Sequence, residues 1–170
     1  MKTLKTLSIL FLSVLIISCS KKDDGDDGGG SAGEPEFNAT INGGSFGSNY
    51  IVELGSYAAD SNNGVTIAVT DSNSNIIRVF MNMTGGFGSG ILKQINDVDD
   101  NGFVTNVIIR DQEAMITYNS TSGNIGITED KENPENEGGR LISGNFTVTA
   151  TVNTGETVTM TGSFKNIAYN

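Results

Sequence analysis

The stretch "FTVTATVNTGETVTMTGSF", Phe146–Phe164, decides the fold class. Phe146, Val148, Ala150 and Val152 alternate with Thr147, Thr149 and Thr151, and after a break Val158 and Met160 alternate with Thr157, Thr159 and Thr161. A period of two is that of a β-strand with one dry and one wet face. Directly opposed residues on paired strands share a face, so valine has to meet valine or methionine, and threonine has to meet threonine. A two-residue loop at Thr154-Gly155 would set Val152 against Thr157 and break that rule. A three-residue loop, Asn153-Thr154-Gly155, sets Val152 against Glu156, Ala150 against Val158 and Val148 against Met160. It also puts Gly155 at the left-handed position of a type I turn with a bulge. The threonines then form a grid of two strands on the wet face, a candidate platform for ice or an ordered polysaccharide and, equally, an ordinary solvated strand face.

The same grammar extends back to Phe37. Short runs rich in Val, Ile, Thr, Phe and Tyr are separated by Gly, Asn, Asp and Ser clusters. They predict strands over 37–42, 49–55, 64–70, 75–83, 90–95, 103–110, 113–118, 123–128, 140–152 and 156–168, with Pro35 and Pro134 outside all of them. In "IIRVFMNM" the alternation puts Ile77, Val79, Met81 and Met83 on one face and Ile76, Arg78, Phe80 and Asn82 on the other. "VTNVIIR" is apolar on both faces near Val107–Ile109, which suits strands partly covered by loops. "ITEDKENPENEGGR", Ile127–Arg140, reads as a solvated acidic connector. About ten short antiparallel strands in residues 37–170 predict a single all-β domain. An antiparallel β-sandwich is the first expectation and a closed antiparallel β-barrel the alternative.

The N-terminal end has a different character. Lys2 and Lys5 precede an apolar run from Leu7 to Ile17 broken only by Ser8 and Ser13. That run is shorter than the roughly 20 apolar residues of a membrane-spanning helix and reads as a secretory signal occupying residues 1–18. Ile16-Ile17-Ser18-Cys19 resembles the lipobox of bacterial lipoproteins. The resemblance implies that Cys19, the only cysteine, is diacylated on sulfur, becomes the new N-terminus and is acylated there too. Several acyl chains give stable membrane anchoring where one does not. The following Lys21, Lys22, Asp23 and Asp24 are similar to the export signal that carries Bacteroidota lipoproteins to the outer face of the outer membrane. From Lys21 to Glu36 no large apolar side chain occurs, so residues 19–36 are expected to be a lipidated cysteine and a flexible acidic tether. Such a tether reaches about 20–24 Å on average.

The net charge of the chain is −10, and loss of residues 1–18 removes two lysines more. Nucleic acid and anionic lipid are poor partners for such a surface. There is no histidine or tryptophan, which excludes the usual Ser-His and Cys-His nucleophiles and His- or Cys-based zinc sites. A carboxylate hydrolase stays open in principle, but no acid pair stands out on a strand. In "DVDDNGFV", Asp97, Asp99 and Asn101 alternate before Gly102, like the first half of a calcium loop. The place of the bidentate acid holds Ile108, and Asn101-Gly102 equally signals a hairpin with a type I′ turn. Calcium is thus a candidate cofactor there and a plain hairpin tip the favoured reading. "GGFGSG", Gly85–Gly90, lacks the lysine and helix of a phosphate loop. Tyr50, Tyr57, Tyr118 and Tyr169 are expected at the edge of the core.

"FNATINGGSF", "GNIGITE", "ISGNFTVTA" and "VTMTGSFKNIAY" resemble a family of small uncharacterised lipoproteins from flavobacteria and other Bacteroidota. The resemblance implies an all-β domain and brings no activity with it. The sequence therefore predicts an outer-membrane lipoprotein exposed at the cell surface, carrying a non-catalytic domain that binds a glycan, a peptide or an envelope protein. A structural or accessory subunit of an envelope complex is the alternative.

Overall fold

The computed structural model describes residues 31–170, so Cys19, Lys21, Lys22, Asp23 and Asp24 lie outside the described residues. Nine strands follow in order: β1 (Glu36–Gly43), β2 (Tyr50–Asp60), β3 (Gly64–Asp71), β4 (Ile76–Asn82), β5 (Leu92–Gln94), β6 (Asn106–Asp111), β7 (Ile116–Glu132), β8 (Arg140–Thr151) and β9 (Thr157–Tyr169). A single 3-10 turn, Gly44–Phe46, joins β1 to β2.

The threonine-rich hairpin has the register its alternation requires. Val148 opposes Met160, Ala150 opposes Val158, and Thr147, Thr149 and Thr151 oppose Thr161, Thr159 and Thr157. Its loop is the three-residue one: Val152 N donates to Glu156 O, Gly155 N donates to Val152 O, and Gly155 has φ 91°. All pairings are antiparallel and join strands in sequence order, β1 to β2, β3, β4, β6, β7, β8 and β9, and β9 then pairs with β1. This is a closed eight-stranded up-and-down barrel, with β5 as a ninth strand continuing the wall beside β7. The architecture is therefore the barrel and not the sandwich. Bulges at Leu54/Ser56, Ser120/Ser122, Ile127/Glu129 and Ile142/Gly144 bend the sheet until its two edge strands meet.

Two other expectations are corrected by the same closure. The runs at 113–118 and 123–128 are one strand, since Ser120–Thr121 is a bulge rather than a turn, which leaves nine strands instead of ten. Half of the acidic connector is strand: Glu129 to Glu132 pair with Ser143 to Arg140, and residues 133–139 form the loop. Asp130 is held there by Arg140 Nε at 2.8 Å and by Tyr169 OH at 3.0 Å.

Inward positions fill the barrel. Phe37, Ile41, Ile67, Ile77, Val79, Met81, Ile109, Tyr118, Ile125, Phe146, Met160 and Phe164 are all buried in one cluster. Met83, expected on the inward face, lies past the end of β4 and is exposed. At one end the 3-10 turn sets Phe46 against Tyr50 and Tyr118, with ring centroids 5.0 and 6.1 Å apart. At the other, Lys93 of β5 is buried, its Nζ donating to Asn82 O at 2.8 Å and Thr84 O at 2.5 Å, over the ring of Phe87. Phe87 of the glycine-rich loop is thus a cover for a lysine that has no carboxylate in ion-pair contact among the described residues. Burial lowers the Lys93 pKa, partly offset by the charge of Asp99.

Candidate functional site

A filled eight-stranded barrel leaves its rims and outer wall for binding. The outer wall has two unlike halves. Along the middle of β7, β8, β9 and β1 the outward residues are Asn119, Ser122, Asn124; Asn145, Thr147, Thr149, Thr151; Thr157, Thr159, Thr161, Ser163; and Asn38, Thr40, Asn42. None of these is charged or aromatic, so the grid read from one hairpin extends over four strands, and it stops where the exposed ion pairs Lys165–Glu36 and Lys131–Glu129 begin on the same strands.

The other half carries a recess of about 620 Å³ on the outside of β3, β4 and β6. Its floor is Thr66, Arg78, Phe80, Asn106 and Ile108. One wall is the β2–β3 turn with Asp60, Asn62 and Asn63, and the other is the tip of the 98–104 hairpin with Gly102, Phe103 and Val104. Phe80, on an outward strand position, is nonetheless buried because Phe103 folds over it, with centroids 6.4 Å apart and planes at 60°. Arg78 is exposed and faces Ala68 on β3 and Ile108 on β6, neither of which can pair with it. The other cations among the described residues are engaged. Lys131, Arg140 and Lys165 pair with Glu129, Asp130 and Glu36, Arg110 donates to Met115 O and Thr117 Oγ1, and Lys93 is buried on carbonyls. Arg78 alone has no hydrogen bond or ion pair among the described residues.

The 98–104 hairpin also contains the calcium candidates. Val98 bridges Val104, Asp99 N donates to Phe103 O and Gly102 N donates to Asp99 O. Gly102 has φ 85° while Asn101 keeps a negative φ, so the tip is a three-residue loop with a bulge, not type I′. Asp99 Oδ1 accepts Asn101 N and Phe103 N, both at 2.9 Å. Burial pushes the Asp99 pKa up, but the backbone N–H groups of Phe103, Met83, Asn101 and Gly102 together hold it below the usual value. Asp97 contributes its backbone carbonyl, which accepts Thr105 N and Asn82 Nδ2 at 2.9 Å. No three acidic groups converge here or elsewhere among the described residues. A calcium ion takes six to eight oxygens, and of the three candidates Asp99 already spends Oδ1 on two backbone N–H groups.

A smaller recess of about 340 Å³ lies at the Phe46 rim, where Asp71 and Asp111 are buried. Asp71 is saturated by Tyr50 OH at 2.6 Å, by Asn73 N and Asn75 N, and by Asn75 Nδ2. Asp111 Oδ1 accepts Ala114 N. These acids hold turns in place. Tyr50 and Tyr57 pack on the edge of the core, as expected, and Tyr169 is buried with a small part of its surface exposed, but Tyr118 lies wholly inside it.

Arg78, Phe103 and Asp60 were not singled out by sequence. The outward orientation of Arg78 was legible from alternation, but its lack of a partner depends on the β3 and β6 registers. Fold and groove together describe a closed β-barrel with an external, mixed polar and aromatic recess. Compared with protein-family models, curated proteins and solved structures, the chain matches none.

Proposed function

We propose that the protein is a lipid-anchored outer-membrane protein, exposed at the cell surface, whose barrel binds a ligand without catalysing a reaction. The anchoring half of this reading rests on the apolar leader, the lipobox-like Ile16–Cys19 and the Lys21–Asp24 run, and on the likeness to small flavobacterial lipoproteins. The observation that carries the binding half is the unengaged Arg78 in a recess of ligand size, among amides, a carboxylate and an aromatic ring. In a chain of net charge −10, a cation left without an acid among the described residues is available to a ligand.

Two measurements test the reading. Cys19→Ala releases the protein from the membrane fraction, and continued retention would defeat the lipoprotein assignment. Thermal unfolding is then followed against a panel of soluble glycans and peptides. A ligand at 100 times its Kd stabilises by about 2.7 kcal/mol, a readily measured shift. A flat panel would point to the second reading, an accessory subunit of an envelope complex. The uncharged middle stretch of β7, β8, β9 and β1 favours it, because apposing an uncharged patch to a partner leaves no unpaired charge behind.

A further inference from the structure

We propose that the groove around Arg78 binds a carboxylated saccharide, with the sugar carboxylate on the Arg78 guanidinium. The inference rests on the binding-module reading above and names the ligand class.

Three features of the groove converge on that class. A guanidinium matches a carboxylate with two parallel hydrogen bonds, and Arg78 has no internal acceptor among the described residues to give up. Its neighbours across the ladder, Ala68 and Ile108, are apolar and keep water from one flank of the ion pair. The remaining polar groups are hydroxyl and amide side chains, Thr66, Asn62, Asn63 and Asn106, with one carboxylate, Asp60. Asp60 Oδ1 accepts Asn62 N at 3.2 Å, and its second oxygen accepts nothing among the described residues. An acid beside an arginine repels a simple anion but accepts hydrogen bonds from hydroxyl groups. A ligand that satisfies both carries a carboxylate and hydroxyl groups together, as a uronic acid does. Phe103 supplies the third element: a half-exposed ring, braced from below by Phe80, against which the C–H face of a pyranose can lie. A peptide with a free C-terminus could also meet Arg78, and the titration below separates it from a sugar.

The test is calorimetric titration of the full chain with a galacturonate trisaccharide and with the uncharged galactose trisaccharide, each repeated on Arg78→Gln and Phe103→Ala. Arg78 is exposed and unpaired, so R78Q keeps the melting temperature of the parent and its binding can be read directly. The uronate is expected to bind at least tenfold tighter than the neutral sugar, with the preference abolished in R78Q. F103A weakens both sugars and leaves their ratio unchanged. Equal affinity for the two sugars, or an uronate affinity unmoved by R78Q, overturns the carboxylate assignment while leaving a sugar-binding module in place. Preference for a peptide bearing a free C-terminus over either sugar overturns the saccharide class. Absence of binding by sugars and peptide alike overturns the groove as a site, and with it the binding-module reading.

Discussion

Glycine and phenylalanine alternate across the β8–β9 ladder in a reciprocal arrangement. Gly144 opposes Phe164, and Phe146 opposes Gly162. A Cβ at Gly144 would lie 2.5 Å from Phe164 Cζ, and one at Gly162 would lie 2.7 Å from Phe146 Cζ. Each ring therefore rests on the bare backbone of the other strand, which gives the repeated "G-x-F" a physical meaning that the sequence displayed without explaining. Gly162→Ala is expected to cost about 1–3 kcal/mol by overpacking, read from the urea midpoint. The same Cβ would also press on the backbone carbonyl of Asn38 in β1, so an unchanged midpoint would mean that both the ring and the neighbouring strand give way at no cost. Tyr169 makes a second prediction at this scale. Burial first, and then the hydrogen bond to Asp130, push its pKa up to about 12. An unfolded tyrosine titrates near 10, so the folded state holds this proton longer. The stability it contributes is complete below about pH 10 and is lost as pH rises from about 10 to 12. Tyr50 is shifted the same way by burial and by Asp71. Tyr169→Phe should flatten the alkaline fall in stability, and identical slopes for the two proteins would contradict the assignment.

The 98–104 hairpin shows what an element owes to one side chain. Asn101-Gly102 was enough to mark a turn in the sequence, but not its type. The choice is made by Asp99, whose Oδ1 collects Asn101 N and Phe103 N and keeps Asn101 out of the left-handed region. Because that carboxylate is held ionised below its usual pKa, its contribution is present above the ordinary aspartate value near 4 and lost as pH falls through the folded value. Asp99→Ala should therefore lower the melting temperature at pH 7, and the gap between variant and parent should close on acidification. A gap that stays constant with pH would show that the side chain acts by packing alone. The same variant loosens Phe103, so any ligand held in the groove should bind more weakly to it. The bulge in β7 was hidden for a related reason. A polar run such as "NSTSGN", Asn119–Asn124, looks like a turn, and only pairing with β8 on one edge and with β6 and β5 on the other holds residues 116–132 as one strand.

At the scale of the molecule, alternation fixes which side of each strand is dry but says nothing about whether the sheet closes. A sandwich and a barrel use the same inward residues, and the difference lies in the β1–β9 seam, formed between the first and last strands of the domain. Phe37 sits on that seam, opposite Phe164 in register and stacked on Phe146 at 5.4 Å with planes 27° apart. It belongs to the same buried cluster as Val52, Ile109 and Tyr118, so the seam and the far wall share one core. Removing its ring should then weaken the whole barrel and not only one edge. Phe37→Ala is expected to cost about 3–5 kcal/mol. The loss should appear as a single earlier transition, with tyrosine fluorescence and far-UV circular dichroism coincident. Two separated transitions would mean that β1 and β2 peel away from a core that survives without them. The sheet would then close as a late and dispensable step, and the groove on β3, β4 and β6 would survive an open seam.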